Sequence, residues 1–295
     1  MKNKEIIENE ETTKSKKYLF LKIGLVLAIL LLATLLWARY ISTSGLIVKE
    51  YAIKNTKLDE DYDGFKIVHF TDLHYGSTIF EDELKNMVNE INKQKPDIVV
   101  FTGDLVESGV TLSDEELNGL VKELKKINPN IETLAVDGNH DYDSNGYYEK
   151  VMEELDWHVL NNTYEFVYGK SKTPLVIVGL KDLMYGKQDY ENAFSFLNET
   201  DEDLYTIVLA HEPDQIMEFS NYNFDLVLSG HSHLGQVRIP FIGALYTPVG
   251  SKKYYDEYYK VNNADLYISG GIGTSTIKFR FFNKPSINLY RFYTK

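Results

Sequence analysis

The sequence predicts an α/β fold of two packed mixed sheets with helices on their outer faces, preceded by one membrane-spanning helix. Three observations lead to this prediction. Apolar, partly β-branched segments alternate with segments whose apolar residues recur at helical spacing, which is the order of a parallel sheet covered by helices. The second half of the chain is richer in strand-like segments than the first. A long uncharged segment lies close to the N-terminus.

The composition narrows the classes of protein. The 295 residues are 43% hydrophobic, which is enough to bury a sizeable core. The chain has no cysteine, so disulfides, thiolate nucleophiles and thiolate metal ligands are excluded. A metal would therefore be held by His, Asp, Glu or Asn, and this ligand set suits Mn, Fe or Zn. The formal net charge of −13 argues against a nucleic-acid partner, because such proteins neutralise phosphates with Lys and Arg.

The N-terminal region has the features of a membrane anchor. Residues 1–22 carry six lysines and are predicted to be a cytoplasmic tail, and residues 18–38 are predicted to span the membrane, with Lys22 extending toward the headgroups. Trp37 and Tyr40 fit an aromatic belt at the far interface. The lysine excess predicts a single-pass protein of the cell membrane, with the N-terminus in the cytoplasm and the remaining domain outside. The alternatives are a cleaved signal peptide and a buried soluble helix. The absence of an Ala-x-Ala site and of a polar face favours the anchor.

The first half of the chain beyond this anchor alternates strands and helices. Residues 39–64 are predicted to be a linker that contains an edge strand at 46–53. Helical periodicity predicts three helices, of which the second begins with a capping box formed by Ser113 and Glu116. The predicted strands are 65–71, 97–102 and 131–136, and the predicted helices are 80–95, 113–127 and 147–155. This order places the loops that follow the strands along one edge of a parallel sheet.

The second half is predicted to be mostly strands. The sequence Asn262-Asn263 is a plausible hairpin turn between two of them. The predicted buried strands are 174–180, 205–209 and 225–229, and the shorter ones are 236–239, 257–261, 266–269 and 286–292.

Five short motifs, each following a predicted strand, contain residues that bind divalent metals. They include five of the seven histidines in the chain. The motifs are Thr71-Asp72-Leu73-His74, Gly103-Asp104-Leu105-Val106-Glu107, Gly138-Asn139-His140-Asp141, Ala210-His211-Glu212-Pro213 and Gly230-His231-Ser232-His233. Each motif alone occurs often by chance, whereas five in this order predict a two-metal site. Because two metals about 3.5–4 Å apart can clamp both oxygens of an in-line displacement, the predicted chemistry is phosphate-ester hydrolysis.

The spacing within two of the motifs predicts chelating pairs. Asp72 and His74 are two residues apart, as are His231 and His233. If these residues continue their strands, the period of two points both side chains of each pair to the same face. Asp104 follows a strand that ends in a glycine, so metals could approach the backbone there.

The motifs resemble those of the calcineurin-like metallophosphoesterases, whose pattern is D-x-H, G-D-x-x-D, G-N-H-D/E, a later H, and G-H-x-H. Segments 230–240 and 270–275 are similar to C-terminal signatures of the bacterial membrane-anchored branch of that family. The resemblance covers about residues 45–293. It implies a four-layer α/β/β/α sandwich and a metallophosphoesterase domain at residues 65–295.

The resemblance also implies roles for individual residues. His140 would contact the scissile phosphate as an acid or charge stabiliser. Glu107 stands where the family often has the Asp that orients this histidine. Because Glu is one methylene longer, the contact is expected to be looser or absent. Leu234 replaces a glycine common in this branch and is expected to narrow the site mouth. The implied metal ligands are Asp72, His74, Asp104 and His233 for one ion, and Asp104, Asn139, His211 and His231 for the other.

The expected function is that of a membrane-anchored phosphoesterase with two divalent metal ions, Mn foremost, acting on a phosphodiester or pyrophosphate of a lipid or envelope substrate. The branch includes hydrolases of the UDP-2,3-diacylglucosamine type, which makes such a glycolipid the leading named candidate. The predicted orientation counts against it, since nucleotide-linked lipids usually lie on the cytoplasmic face. The alternative from another class is a catalytically silent binding module, and the complete ligand set favours the enzyme.

Several weaker signals have two interpretations each. Arg238 is a candidate ligand for substrate phosphate, or it covers a sheet edge. His69 and His158 are expected to be structural. Asp141 would support His140 or cap the following turn. A tyrosine cluster would form an aromatic wall for a substrate or pack along a half-exposed strand, and its members are Tyr254, Tyr255, Tyr258 and Tyr259.

Overall fold

The computed structural model describes residues 2–200 and 202–294, with side chains from residue 14 onward. The side chains of residues 1–13, which belong to the predicted tail, lie outside the described part. Within that part the chain forms two six-stranded sheets, a small two-stranded hairpin and five α-helices.

The first sheet contains the predicted alternation of strands and helices. Its strands are β1 (Ile47–Lys54), β2 (Lys66–Phe70), β3 (Ile98–Thr102), β4 (Glu132–Val136), β5 (His158–Val159) and β14 (Ser286–Tyr293). Their order is β1-β14-β2-β3-β4-β5. Strands β2 to β5 are parallel, and β14 is antiparallel to β2. The predicted edge strand is therefore confirmed as β1.

The second sheet is also mixed. Its strands are β6 (Thr163–Val167), β7 (Leu175–Gly179), β8 (Thr206–Leu209), β9 (Leu226–Ser229), β12 (Tyr258–Val261) and β13 (Ala264–Ile268). In the order β12-β13-β9-β8-β7-β6, the four central strands are parallel and both edge strands are antiparallel to their neighbours. The remaining strands, β10 (Arg238–Ile239) and β11 (Gly243–Ala244), pair as a hairpin outside both sheets.

The three helices predicted beyond the anchor begin and end within three residues of the predicted bounds. The described part of the chain contains five α-helices in all. They are α1 (Lys2–Leu36), α2 (Glu81–Lys93), α3 (Asp114–Leu124), α4 (Tyr147–Glu154) and α5 (Tyr190–Ala193). The predicted capping box of α3 is confirmed, because the Ser113 hydroxyl accepts from the Glu116 amide and the Glu116 carboxylate accepts from the Ser113 amide at 2.8 Å. Such a cap contributes about 1 kcal/mol.

Alternating side chains divide the interior into three cores, and these define four layers. In β2, Val68 and Phe70 pack against α2, α3 and α4, whereas Ile67 faces the second sheet. In β7, Ile177 joins the core between the sheets, and Val176 packs in the core on the outer face of the second sheet. Each fully buried side chain of this size stabilises the fold by about 1.5–3 kcal/mol. The predicted α/β/β/α sandwich is confirmed.

The N-terminal helix is long and apolar enough to cross a membrane. Residues Lys14–Ile41 are helical, with a mean hydropathy of 2.7 in the most apolar window and none of that window buried in the protein. The last five of them, Trp37–Ile41, form a π-helical turn. This helix suggests single-pass membrane anchoring and includes the predicted span at residues 18–38.

The anchor joins the domain at one particular edge of the first sheet. Ile47, the first residue of β1, pairs with Ser286, and β14 then runs antiparallel to β2 so that Asn288 pairs with His69. The start of β1 therefore lies at the edge where β2, β3 and β4 end. Only residues 42–46 separate that edge from the anchor.

The sequence prediction was wrong or incomplete at a few elements. The predicted strand at 236–239 is present only at Arg238–Ile239, because Gln236 has a left-handed backbone with φ of 47°. Strands β6 and β11 and the short helix α5 were not predicted. In β6 only Val167 is fully buried, so its sequence lacks the apolar run that marks the central strands.

Candidate metal centre

The candidate ligands lie in the turns just beyond the strands rather than on the strands. Strand β2 ends at Phe70 and β9 ends at Ser229, so the predicted argument from strand alternation is wrong for both chelating pairs. Left-handed backbone brings the side chains together instead. It occurs at Asp72 (φ 51°), His74 (φ 43°), Asp104 (φ 62°), His231 (φ 59°) and His233 (φ 47°). Each such residue costs about 1–3 kcal/mol, and such conformations cluster at functional sites.

The first cluster consists of Asp72, His74 and His233, which lie close enough to share a metal ion. The Nε2 atoms of the two histidines face each other at 3.1 Å. The Asp72 Oδ1 atom lies 3.4 Å from His233 Nε2 and 3.8 Å from His74 Nε2. All three side chains are buried.

The second cluster consists of Asp104, His211 and His231. The Asp104 Oδ2 atom lies 3.2 Å from His211 Nε2 and 3.5 Å from His74 Nε2, so this carboxylate lies between the two clusters. The buried Oδ1 atom of Asn139 has no hydrogen-bond partner among the described residues. An unsatisfied buried oxygen is costly, and a metal ion would satisfy it.

Hydrogen bonds orient two of the imidazole rings, and an ion pair orients a third. The Nδ1 atom of His211 contacts the Thr102 carbonyl at 2.6 Å, and the Nε2 atom of His231 contacts the Val249 carbonyl at 2.6 Å. The Nδ1 atom of His74 lies 2.7 Å from the Glu107 carboxylate. A ring nitrogen that donates to oxygen leaves the other nitrogen free to bind a metal, as in most histidine metal sites.

Glycines keep the centre open where the backbone approaches it. A Cβ atom on Gly138 would lie 2.6 Å from Asp104 Oδ1, and one on Gly230 would lie 2.4 Å from Asp72 Oδ2. The clustered donors, the unsatisfied Asn139 oxygen and these glycines together fit divalent metal ions held by nitrogen and oxygen ligands.

The electrostatics favour cations at the shared carboxylate. Burial opposes ionisation of Asp104, but the imidazoles of His211 and His140 hold its pKa well below the usual value. Burial also opposes protonation of His74, yet Asp72 and Glu107 raise its pKa to about 10. Metal binding at His74 must therefore displace a proton, which makes the affinity fall as the pH is lowered.

His140 lies beside the first cluster and makes only a loose contact with Glu107. Its Nδ1 atom is 3.8 Å from the Glu107 carboxylate and accepts a hydrogen bond from the Ser108 amide at 3.2 Å. Its Nε2 atom lies 3.3 Å from the Ser275 hydroxyl, a contact that the sequence did not indicate. Glu107 contacts His74 more closely, as the longer side chain permits.

Three further residues had predicted roles at or near the site. The Arg238 guanidinium pairs with Asp256 at 2.7 Å and donates to the Leu234 carbonyl, which favours its sheet-edge interpretation. Leu234 has a left-handed backbone and is buried in the outer core of the second sheet, so it does not line the site mouth. The Asp141 carboxylate accepts from the amides of Asp104, Leu105 and Gly138 and thus braces the loop around the shared carboxylate.

The remaining weak signals have structural roles. His69 is buried against the Thr102 hydroxyl at 2.8 Å, and His158 lies 2.9 Å from the Glu132 carboxylate on the outer strands of the first sheet. Within the tyrosine cluster, Tyr254 and Tyr259 pack ring against ring with centroids 5.0 Å apart, and Tyr258 packs against Tyr267.

Sequence reasoning missed Arg280, which is fully buried behind the first cluster. Its Nη2 atom donates to the carbonyls of Gly270, Gly271 and Gly273 and lies 3.4 Å from His233 Nδ1. The only sequence signal was a lone arginine within the aromatic segment 279–282.

Comparison with known proteins agrees with this geometry. The calcineurin-like phosphoesterase family matches residues 65–235. The chain is 33% identical over 256 residues to the uncharacterized metallophosphoesterase YkuE of Bacillus subtilis, covering 86% of this chain and 88% of that protein. It is 27% identical to phosphodiesterase YaeI of Escherichia coli, covering 71% and 76% of the two chains. It is 24% identical to UDP-2,3-diacylglucosamine pyrophosphatase LpxG of Chlamydia muridarum, covering 88% and 92%.

The chain therefore belongs to the calcineurin-like phosphoesterase family. It is a hydrolase of phosphoesters, and the family fold implies divalent metals at clusters of His and Asp residues that can bind them.

Proposed function

We propose that the protein is a membrane-anchored phosphoesterase that uses two divalent metal ions to hydrolyse a phosphodiester or pyrophosphate bond. The position of Asp104 carries this proposal, because its Oδ2 atom lies within 3.5 Å of one histidine from each cluster. A carboxylate shared by two ligand sets is what a two-metal hydrolytic site requires.

The proposed ligands are the same residues that the family resemblance implied as metal ligands. Manganese is the favoured metal, with iron and zinc as alternatives, because the ligands are imidazole, carboxylate and amide oxygen without thiolate. Two such ions, when bound, supply positive charge to the phosphoryl oxygens and activate a water molecule. One ion would be held by Asp72, His74, Asp104 and His233, and the other by Asp104, Asn139, His211 and His231.

His140 is the proposed catalytic residue that is not a metal ligand. Because its Nδ1 atom accepts a hydrogen bond from the Ser108 amide, the proton of the neutral ring is on Nε2. Burial lowers its pKa, which favours this neutral form. The Nε2–H group would donate to a phosphoryl oxygen or to the leaving oxygen. Glu107 would act through His74 as a positioning residue.

The substrate is proposed to be lipid-linked or part of the cell envelope. The helix that suggests membrane anchoring supports this, as do the activities for which two relatives are named, a phosphodiesterase and a pyrophosphatase of UDP-2,3-diacylglucosamine. A glycolipid pyrophosphate of the latter type is the leading named candidate.

A metal-dependent activity screen tests the proposal. The purified full chain would be stripped with a chelator, reloaded with Mn, Fe or Zn, and assayed on bis-p-nitrophenyl phosphate and on lipid-linked pyrophosphates. We expect turnover that returns only with metal. Metal binding without turnover on any phosphoester would favour the catalytically silent binding module and overturn the proposal.

The catalytic domain is proposed to lie outside the cytoplasm. Six lysines precede the uncharged segment 23–38, whereas Arg39 and Lys49 are the only basic residues between its end and residue 50. Protease added to spheroplasts should therefore digest the domain and leave a small membrane-bound fragment. Protection of the domain until the cells are lysed would reverse the orientation and remove the objection to a cytoplasmic nucleotide-linked lipid.

A further inference from the structure

The edge of the protein that carries the candidate metal centre is also the edge attached to the anchor. The carboxyl ends of β2, β3 and β4 lie at the start of β1, five residues after the helix ends. The Arg280 amide donates to the Ala38 carbonyl at 3.0 Å, so the loop behind the first cluster is bonded directly to the end of the helix. The centre thus opens at the end of the domain from which the helix leaves.

Part of this loop lies beside the apolar helix rather than beyond it. Phe281 and Phe282 line a groove of about 680 Å³ whose other wall includes Leu30, Ala33 and Trp37. At 1.5 Å per residue, Leu30 lies about 9 Å before the end of α1 at Leu36. If the helix spans a bilayer, this loop reaches the depth of the lipid.

Exposed apolar side chains continue from this loop around the mouth of the centre. Phe282 is 65% exposed, Ile242 at the tip of the β10–β11 hairpin is 71% exposed, and Val249 is 67% exposed. The hairpin is joined to the loop, because the Arg238 amide donates to the Phe281 carbonyl. We name these side chains the apolar collar; its members are Phe241, Ile242, Leu245, Tyr246, Val249, Ile277 and Phe282.

The collar is in direct contact with the candidate centre. The Val249 carbonyl is the acceptor that orients His231, and Ser275, two residues before Ile277, contacts His140. The segments that carry the apolar collar therefore adjoin both clusters' histidines and His140 at this end of the domain.

The charge around the collar is opposite to that of the rest of the domain. Segments 236–253 and 274–285 contain six Lys or Arg residues and no Asp or Glu. The remainder of residues 51–295 carries 17 basic residues against 39 acidic ones. Four of the six are exposed lysines, namely Lys252, Lys253, Lys278 and Lys284. Exposed apolar side chains mixed with lysines match the chemistry of an anionic lipid surface.

We propose that the apolar collar is a second membrane-binding element, which inserts into the leaflet from which the helix emerges and holds the metal centre at the lipid headgroups. The occupant of this surface is the bilayer itself. This docking does not depend on hydrolysis. A consequence that does rest on the proposed function is that the preferred substrate is a phosphoester within the headgroup layer rather than a soluble one.

Spin labels on the full chain in nanodiscs test the docking directly. Because the chain has no cysteine, Ile242→Cys and Phe241→Cys each provide a unique attachment point on an exposed side chain. Tyr168→Cys is the matched control, since Tyr168 is 55% exposed in the β6–β7 turn, at the opposite end of the parallel strands. The nanodiscs would contain phosphatidylcholine and phosphatidylglycerol.

Collision rates of the labels with oxygen and with a water-soluble nickel chelate give the outcome. We expect the labels at 241 and 242 to show severalfold higher oxygen-to-nickel ratios than the label at 168, as in lipid. A nickel accessibility equal to that at 168 would place the collar in water and overturn the proposal. Low accessibility to both reagents would mean a protein contact and would also overturn it. Neither result would depend on whether the protein hydrolyses phosphoesters.

Discussion

Replacing the buried Arg280 with methionine should strongly destabilise the catalytic domain. The methionine side chain is apolar and can stay buried, but it lacks the Nη2 group, which donates to three backbone carbonyls in the wild type. The Gly271 carbonyl would keep the Ser286 amide as a donor, whereas no other described residue donates to the Gly270 and Gly273 carbonyls. Each buried carbonyl left unsatisfied costs about 1–3 kcal/mol.

With two carbonyls left unsatisfied, the expected loss for Arg280→Met is therefore about 2–6 kcal/mol in the free energy of unfolding. Urea unfolding of the full chain in detergent, followed by tryptophan fluorescence, would measure it. Arg291→Met is the control, because the Arg291 guanidinium pairs with Glu50 at the surface and should contribute at most about 1 kcal/mol. Equal losses in the two variants would refute the role assigned to the buried arginine.

Three further substitutions test the parts of the site separately. His140→Ala should retain bound metal while turnover falls by about 10²–10⁴-fold, the usual effect of removing a proton-transfer group, and metal loss in elemental analysis would make His140 a ligand instead. Glu107→Gln should weaken metal binding about 10–100-fold in a titration, because the carboxylate that faces His74 is lost. An unchanged metal affinity would show that Glu107 does not position His74. Gly103→Ala should lower both stability and metal content, because the added Cβ would lie 2.4 Å from the Gly138 amide nitrogen and residue 103 has a φ of +89°. A fully stable, metal-loaded variant would contradict that geometry.

The order and type of the main elements could be predicted because burial leaves a clear pattern. The central strands are buried along their whole length and appear in the sequence as continuous apolar runs, as in Ile98–Thr102. Helix α3 has both its capping box and its periodicity in the local sequence. Strand β11 has only two residues, and β6 is half-exposed, so neither has a local signal strong enough to identify it.

The identity of the site residues could be predicted, but the way the chain assembles them could not. The motifs placed Asp72, His74 and their partners at strand ends, and these residues do converge. Their left-handed backbones depend on tertiary contacts, so strand periodicity gave the wrong reason for the convergence. The contact partner of Glu107 and the position of Arg280 depend on loops that are far apart in sequence. A single sequence does not show that such loops lie next to each other in the fold.

The metal content of the wild type and of Asp104→Asn tests the central claim most directly. The claim is that one carboxylate, lying 3.2 Å from His211 Nε2 and 3.5 Å from His74 Nε2, is shared by two metal ions. Elemental analysis of the purified full chain, together with hydrolysis of bis-p-nitrophenyl phosphate, would measure both consequences. The account predicts two metal ions per wild-type chain, and fewer than two with no activity in the variant, because a neutral bridge cannot balance two dications. A variant that keeps two metal ions and full activity would contradict the assignment of the site.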